Sequence, residues 1–129
     1  MVEGAEARGL KILIVEDEPL IRMVAVDMLD LLGHQALEAS SGAEALSAAA
    51  DLDLIDAMMI DLGLPDRSGE DVIRMVLQRR PGLPIIVTTG ADTAAAAQRL
   101  DGLGVIAFLQ KPYYFRDLEL AVAPLARAG

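Results

Sequence analysis

The sequence predicts an α/β protein: one parallel sheet of five strands with five helices packed on both faces. Three observations lead there. Short apolar runs alternate with stretches of helical periodicity along all 129 residues. Those runs are apolar almost throughout, as in strands covered on both sides. The connections are short and rich in turn and cap residues, so one crossover helix fits between successive strands. Right-handed crossovers and the commonest small doubly wound arrangement then give the strand order 2-1-3-4-5.

Lys11–Val15, Lys-Ile-Leu-Ile-Val, reads as the first strand. Glu18-Pro19 opens the first helix, because the first helical N–H has no partner to lose. Glu18 is expected only as its cap. The helix runs to about Leu32 and stops at Gly33, which can adopt the left-handed cap. Ile21, Ala25, Met28 and Leu32 form its expected inward face. Residues 34–39 form a short second strand, and His34, directly after Gly33, is expected in a surface turn.

Ser41-Gly42-Ala43-Glu44 has capping-box spacing and starts a second helix ending near Ala50. Residues 54–60 form the third strand, apolar enough to be central. Leu64-Pro65-Asp66 breaks the chain. Ser68-Gly69-Glu70-Asp71 then opens a third helix carrying Val72, Ile73, Met75 and Val76 and ending by Pro81. Residues 84–88 are the fourth strand, with proline where a missing donor does no harm. Asp92 caps an alanine-rich helix reaching about Leu100. Residues 105–109 are strand five, and a last helix covers roughly 116–126. Met23, Met28, Met58, Met59 and Met75 read as core filler.

One domain, residues 10–129, accounts for these elements, and residues 1–9 read as a disordered tail. The chain has no cysteine, which excludes thiolate metal sites and disulfide scaffolds. Its net charge of −9 argues against nucleic acid and anionic membranes as partners. No apolar stretch reaches membrane-spanning length, and a cytoplasmic location is expected. Neither Gly-x-x-x-x-Gly-Lys nor Gly-x-Gly-x-x-Gly occurs, so nucleotide binding is disfavoured.

The chemistry gathers where strands end. Strand one leads to Glu16 and Asp17, strand three to Asp61, strand four to Thr89 and strand five to Lys111. In the 2-1-3-4-5 order strands one and three are neighbours, so Asp17 and Asp61 face each other across the crevice where such sheets bind ligands. Crowded carboxylates among apolar neighbours call for a cation, and a hard one such as Mg²⁺ suits oxygen donors. A carboxylate can also attack phosphorus. The transferring group has three equatorial oxygens, which Mg²⁺, the Lys111 ammonium and the Thr89 hydroxyl can each engage. Of the adjacent threonines, strand alternation favours Thr89 for the site and Thr88 for sheet packing.

Four segments resemble the receiver domain of response regulators, of the single-domain chemotaxis type. They are Ile14-Val15-Glu16-Asp17-Glu18, Asp61-Leu62-Gly63-Leu64-Pro65-Asp66-Arg67-Ser68-Gly69, Pro84-Ile85-Ile86-Val87-Thr88-Thr89-Gly90 and Lys111-Pro112. The resemblance implies a flavodoxin-like fold with Asp61 as phosphoacceptor. It implies Mg²⁺, with Mn²⁺ as an alternative, bound by Asp17, Asp61, the Gly63 carbonyl and, through water, Glu16. It makes Thr89 the switch hydroxyl, Lys111 the phosphoryl partner and Phe108 the switch aromatic, with Pro112 and Gly90 structural and a cis bond before Pro112. Gly63 and Ala91, two residues beyond Asp61 and Thr89, carry no side chain that reaches the phosphoryl group.

The implied partners are a sensor histidine kinase or histidine phosphotransfer protein and a downstream protein target. The output surface would be the face of helix four, strand five and helix five. A turnover enzyme is not expected. Two alternatives remain: the terminal receiver of a hybrid histidine kinase, and an aspartate-nucleophile phosphatase. The phosphatases carry their nucleophile in Asp-x-Asp after the first strand, where this chain has Glu16-Asp17-Glu18.

Overall fold

The computed structural model describes residues 9–48, 50 and 54–128, with side chains through residue 125. Among them, β1 (Lys11–Val15), β2 (Gln35–Ala39), β3 (Ala57–Asp61), β4 (Ile85–Thr89) and β5 (Val105–Gln110) alternate with five helices. These are α1 (Pro19–Leu31), α2 (Gly42–Ala48), α3 (Gly69–Arg79), α4 (Thr93–Arg99) and α5 (Phe115–Ala128). The strands form one sheet in the order β2-β1-β3-β4-β5, every neighbouring pair parallel. The doubly wound reading of the sequence is therefore correct. The expected tail over residues 1–9 lies, apart from Gly9, outside the described residues.

Alternation along the strands divides the core in two. Ile12, Ile14, Ala57, Met59, Ile86 and Leu109 point to one face, where Ala25 and Leu29 of α1 and Leu118, Ala121 and Val122 of α5 cover them. Leu13, Val15, Met58, Ile60, Ile85 and Val87 point to the other, against Ala45 of α2 and Val72, Ile73 and Val76 of α3. β3 is buried at all five residues, as a central strand must be.

Several expectations need correction. Leu29, absent from the expected inward face of α1, is fully buried, whereas Ile21, Met28 and Leu32 are half-buried. The core-facing stripe is centred on Ala25 and Leu29, with Met28 and Leu32 packed at its margin. Met75 and Met23 are exposed rather than core; Arg67 Nη1 approaches the Met75 sulfur at 3.7 Å. β3 begins three residues later than expected. Asp56 explains this by turning the chain: its Oδ2 accepts from the Lys11 N–H at 2.8 Å, and Leu54 is left exposed.

His34 is not in a surface turn. It is buried, and its Nδ1 accepts from the Leu10 N–H at 3.1 Å. Glu18 stands at the N-cap of α1, but its side chain makes no capping bond. Ser41 Oγ accepts from the Glu44 N–H, but Glu44 returns its carboxylate to Ser40, one residue further back than a capping box requires. The caps of α3 and α4 form as expected: Ser68 accepts from the Asp71 N–H and Asp92 from the Ala94 N–H.

Candidate functional site

The side-chain rows on the α1/α5 face continue past the last apolar residues. Ile12 and Ile14 lead to Glu16, Ala57 and Met59 to Asp61, and Leu109 to Lys111. The backbone carries this order beyond the strands: the Glu16 N–H donates to the Ala39 carbonyl at 3.0 Å, and the Lys111 N–H to the Thr89 carbonyl at 2.8 Å. Polar groups thus replace core at the carboxyl ends of the strands.

Glu16 and Asp61 are each only 4% exposed, a placement two carboxylates tolerate only beside positive charge. Lys111 supplies it. Its Nζ donates to Glu16 Oε1 and Asp61 Oδ2, both at 3.1 Å. Asp17, half-buried, adds a third carboxylate, and one oxygen from each of Glu16, Asp17 and Asp61 lies within 4.8 Å of the others. The remaining oxygens meet amides: the Glu18 N–H donates to Glu16 Oε2 at 3.1 Å and the Gly63 N–H to Asp61 Oδ1 at 3.2 Å.

Burial pushes the Glu16 carboxyl above its usual range, against the opposing pull of the Glu18 amide and Lys111. Burial also works against the Lys111 ammonium, but its hydrogen bonds to Asp61 and Glu16 outweigh that and hold it above its ordinary value. The site therefore keeps its lysine charged.

The donor set fits Mg²⁺. Three clustered carboxylates are the oxygen ligands a hard cation takes, with a backbone carbonyl and waters to complete its shell. Thr89 stands at the end of the next strand, with its Oγ1 accepting from the Ala91 N–H at 3.1 Å. Alternation does not select Thr89 as expected. Thr88, in register with Asp61, continues the Ile86 row on the α1/α5 face and is buried. Thr89 follows Ile85 and Val87 on the other face, so its candidacy rests on the resemblance and on its place at the strand end. Phe108 is half-buried on β5, in register with Val87, and packs on the α2/α3 side of the core. The Lys111–Pro112 bond is cis. Gly90 faces open space: a Cβ there would meet no atom within 4 Å.

Two site neighbours escaped the sequence reading. Arg22 Nη1 donates to the Glu16 carbonyl at 2.8 Å while its Nε holds Glu38 at 3.1 Å. Tyr113 packs against the α1/α5 core; burial, then the charges of Glu16 and Asp61, push its phenol well up, so it stays protonated. Its position two residues after Lys111 was the available signal, but the Tyr113-Tyr114 pair gave no phase. Tyr114 is exposed.

A fold of this topology with acids and a lysine at its mouth defines a class of signalling module, and comparison with known proteins agrees. Residues 12–123 match the family model described as response regulator receiver domain. The chain belongs to that family: it is a receiver domain of two-component signalling. It is 36% identical over 118 residues to PdtaR, a transcriptional regulatory protein of Mycobacterium tuberculosis, a match covering 88% of this chain and 57% of PdtaR. The chain spans about half the length of the curated relatives it matches first.

Among solved structures, a receiver domain protein from Clostridium thermocellum superposes with a TM-score of 0.85 at 28% identity, covering 92% of this chain and 95% of that one. The receiver domain of the sensor histidine kinase PA1611 from Pseudomonas aeruginosa, solved with a magnesium ion in its active-site cleft, gives 0.80 at 26% identity over 92% of this chain and 98% of that one. No helix among the described residues is long and apolar enough to cross a membrane.

Proposed function

We propose that Asp61 accepts a phosphoryl group from the phosphohistidine of a sensor kinase or histidine phosphotransfer protein. The observation that carries this is the Lys111 ammonium shared at 3.1 Å between Asp61 and Glu16. Asp17, Asp61 and the Gly63 carbonyl, with Glu16 through water, would hold Mg²⁺, which would supply charge neutralisation at the transferring oxygens. An Asp61 oxygen attacks phosphorus as the P–N bond breaks, and the bond pair returns to the imidazole. Lys111 then exchanges its Asp61 contact for a phosphoryl oxygen. The Thr89 hydroxyl leaves the Ala91 amide and donates to another. Attack of water on phosphorus later releases phosphate and restores the carboxylate.

The added charge shifts the population between two conformations of a protein-binding surface. Exposed Ile106 of β5 and Tyr114, Phe115 and Leu120 around α5 support the α4-β5-α5 face as that surface, with Phe108 beneath it as the switch aromatic. The acidity of the domain speaks against nucleic acid at this module. PdtaR is a transcriptional regulatory protein, so a longer protein's partners are a separate matter. The likeness to the PA1611 receiver supports a second setting, as one part of a larger histidine kinase; the genomic reading frame decides between the two.

The test is incubation with a small phosphodonor and Mg²⁺, read by intact mass. The wild type gains one phosphoryl group and Asp61→Asn gains none. Equal modification of both overturns the reading. Continued release of phosphate from an ester, far beyond one per chain, would instead mark an aspartate-nucleophile phosphatase.

A further inference from the structure

The loop after Asp61 is fastened at both ends. Near Asp61, the Leu62 N–H donates to the Thr88 carbonyl and the Gly69 N–H donates back to the Leu62 carbonyl, each at 3.1 Å. Gly69 permits this return, because a Cβ there would lie 2.5 Å from the Asp61 carbonyl oxygen. At its far end the loop reaches a different element. Asp66 Oδ1 accepts from the Gly42 N–H at 2.8 Å, and Asp66 Oδ2 accepts from the Ala43 N–H at 2.9 Å. Both oxygens of one carboxylate thus cap the first turn of α2 across the chain.

A second observation belongs to the same junction. A Cβ on Gly42 would sit 2.5 Å from Arg67 Cγ and 2.9 Å from Arg67 Cδ. The Arg67 stem lies flat on the start of α2 only because residue 42 has no side chain. Ordinary capping of α2 does not need this arrangement, since Ser41 already accepts from the Glu44 N–H at 3.1 Å.

We propose that Asp66 is a positioning residue for the phosphoryl site: by clasping α2 it fixes the loop that carries the Gly63 carbonyl over Asp17 and Asp61. This rests on the reading of Asp61 and Gly63 as Mg²⁺ ligands. Only two residues, Leu64 and Pro65, separate Gly63 from the clasp, and Leu64 is buried. Releasing Asp66 therefore leaves this side of the Gly63 carbonyl held by the Leu64 side chain alone. The two amide hydrogen bonds also hold the Asp66 carboxyl below its usual range, so the clasp persists at mildly acidic pH.

The experiment measures Mg²⁺ binding by calorimetry and amide exchange at Gly42 and Ala43 by NMR, in the wild type, Asp66→Ala, Asp66→Asn and Ser41→Ala. Asp66→Ala is expected to weaken Mg²⁺ on the order of tenfold, as loss of an outer-shell support does, and to speed exchange at both amides. Asp66→Asn, with one carbonyl oxygen in place of two, should fall between, and it carries the test if Asp66→Ala does not fold. Ser41→Ala loosens the same helix turn from its own side and should leave Mg²⁺ affinity unchanged. Wild-type affinity in the Asp66 variants, or equal loss in Ser41→Ala, overturns the proposal. A wild type that binds no Mg²⁺ overturns the site reading itself, and the positioning role with it.

Discussion

At the scale of residues, one ammonium serves two buried acids. Because burial raises Glu16, a proton competes with metal there at a higher pH than for an ordinary carboxylate. Metal binds the ionised form, so Mg²⁺ affinity should fall as pH drops from 8 toward 5.5. Glu16→Gln, which has no proton to release, should flatten that slope. Calorimetry at the two pH values decides it, and a slope that persists unchanged in the variant rules out Glu16 as its source. The site acids and lysine were readable in the sequence because each stands directly after an apolar strand. Asp66 was not, because its amide partners lie 24 and 23 residues away in sequence. Tyr113 was not, because an aromatic pair in a loop has no periodicity to orient it.

At the scale of elements, strand existence was legible and strand edges less so. Apolar runs mark where a strand can be buried, but the hydrogen bond from Lys11 to Asp56 decides where β3 begins. The helix α1 makes the same point through phase. Its Leu20, Ile21, Met23, Val24, Met28, Leu29 and Leu31 offer more than one apolar stripe, and sheet contacts select the one containing Ala25 and Leu29. Leu29→Ala should therefore destabilise the fold by about 2–5 kcal/mol, whereas Leu31→Ala, at a 77% exposed position, should change stability by less than about 0.5 kcal/mol. Urea unfolding of the two variants tests this, and similar losses would contradict the assigned phase. The bulge in β5 could not be read from apolarity at all. Ile85 pairs with Val105 but Ile86 with Ala107, so Ile106 is the extra residue, and it turns outward.

At the scale of the whole molecule, global stability should depend on one imidazole. Burial lowers the His34 value from 6.5, so the folded protein resists a proton that the unfolded chain accepts. The unfolded state then binds more protons, and stability must fall as pH drops through about 6.5. The stabilising contribution is complete above that value. Protonation would also remove the Nδ1 acceptor used by the Leu10 N–H. Unfolding midpoints at pH 7.5 and 5.5 should differ less in His34→Gln than in the wild type; an equal difference would acquit the histidine.

His34 and Leu10 also mark an end of the molecule. Every strand runs in the same direction, so the amino ends of β1 to β5 form a floor and the carboxyl ends carry the cluster of Glu16, Asp17, Asp61 and Lys111. The described chain enters at Gly9 on that floor. α5 starts beside Lys111 and packs back down the sheet through Leu118, Ala121 and Val122. A fluorescent reporter placed at Gly9 therefore sits at the opposite end of the sheet from the acid–lysine cluster, and a surface anchored there leaves that cluster facing solution.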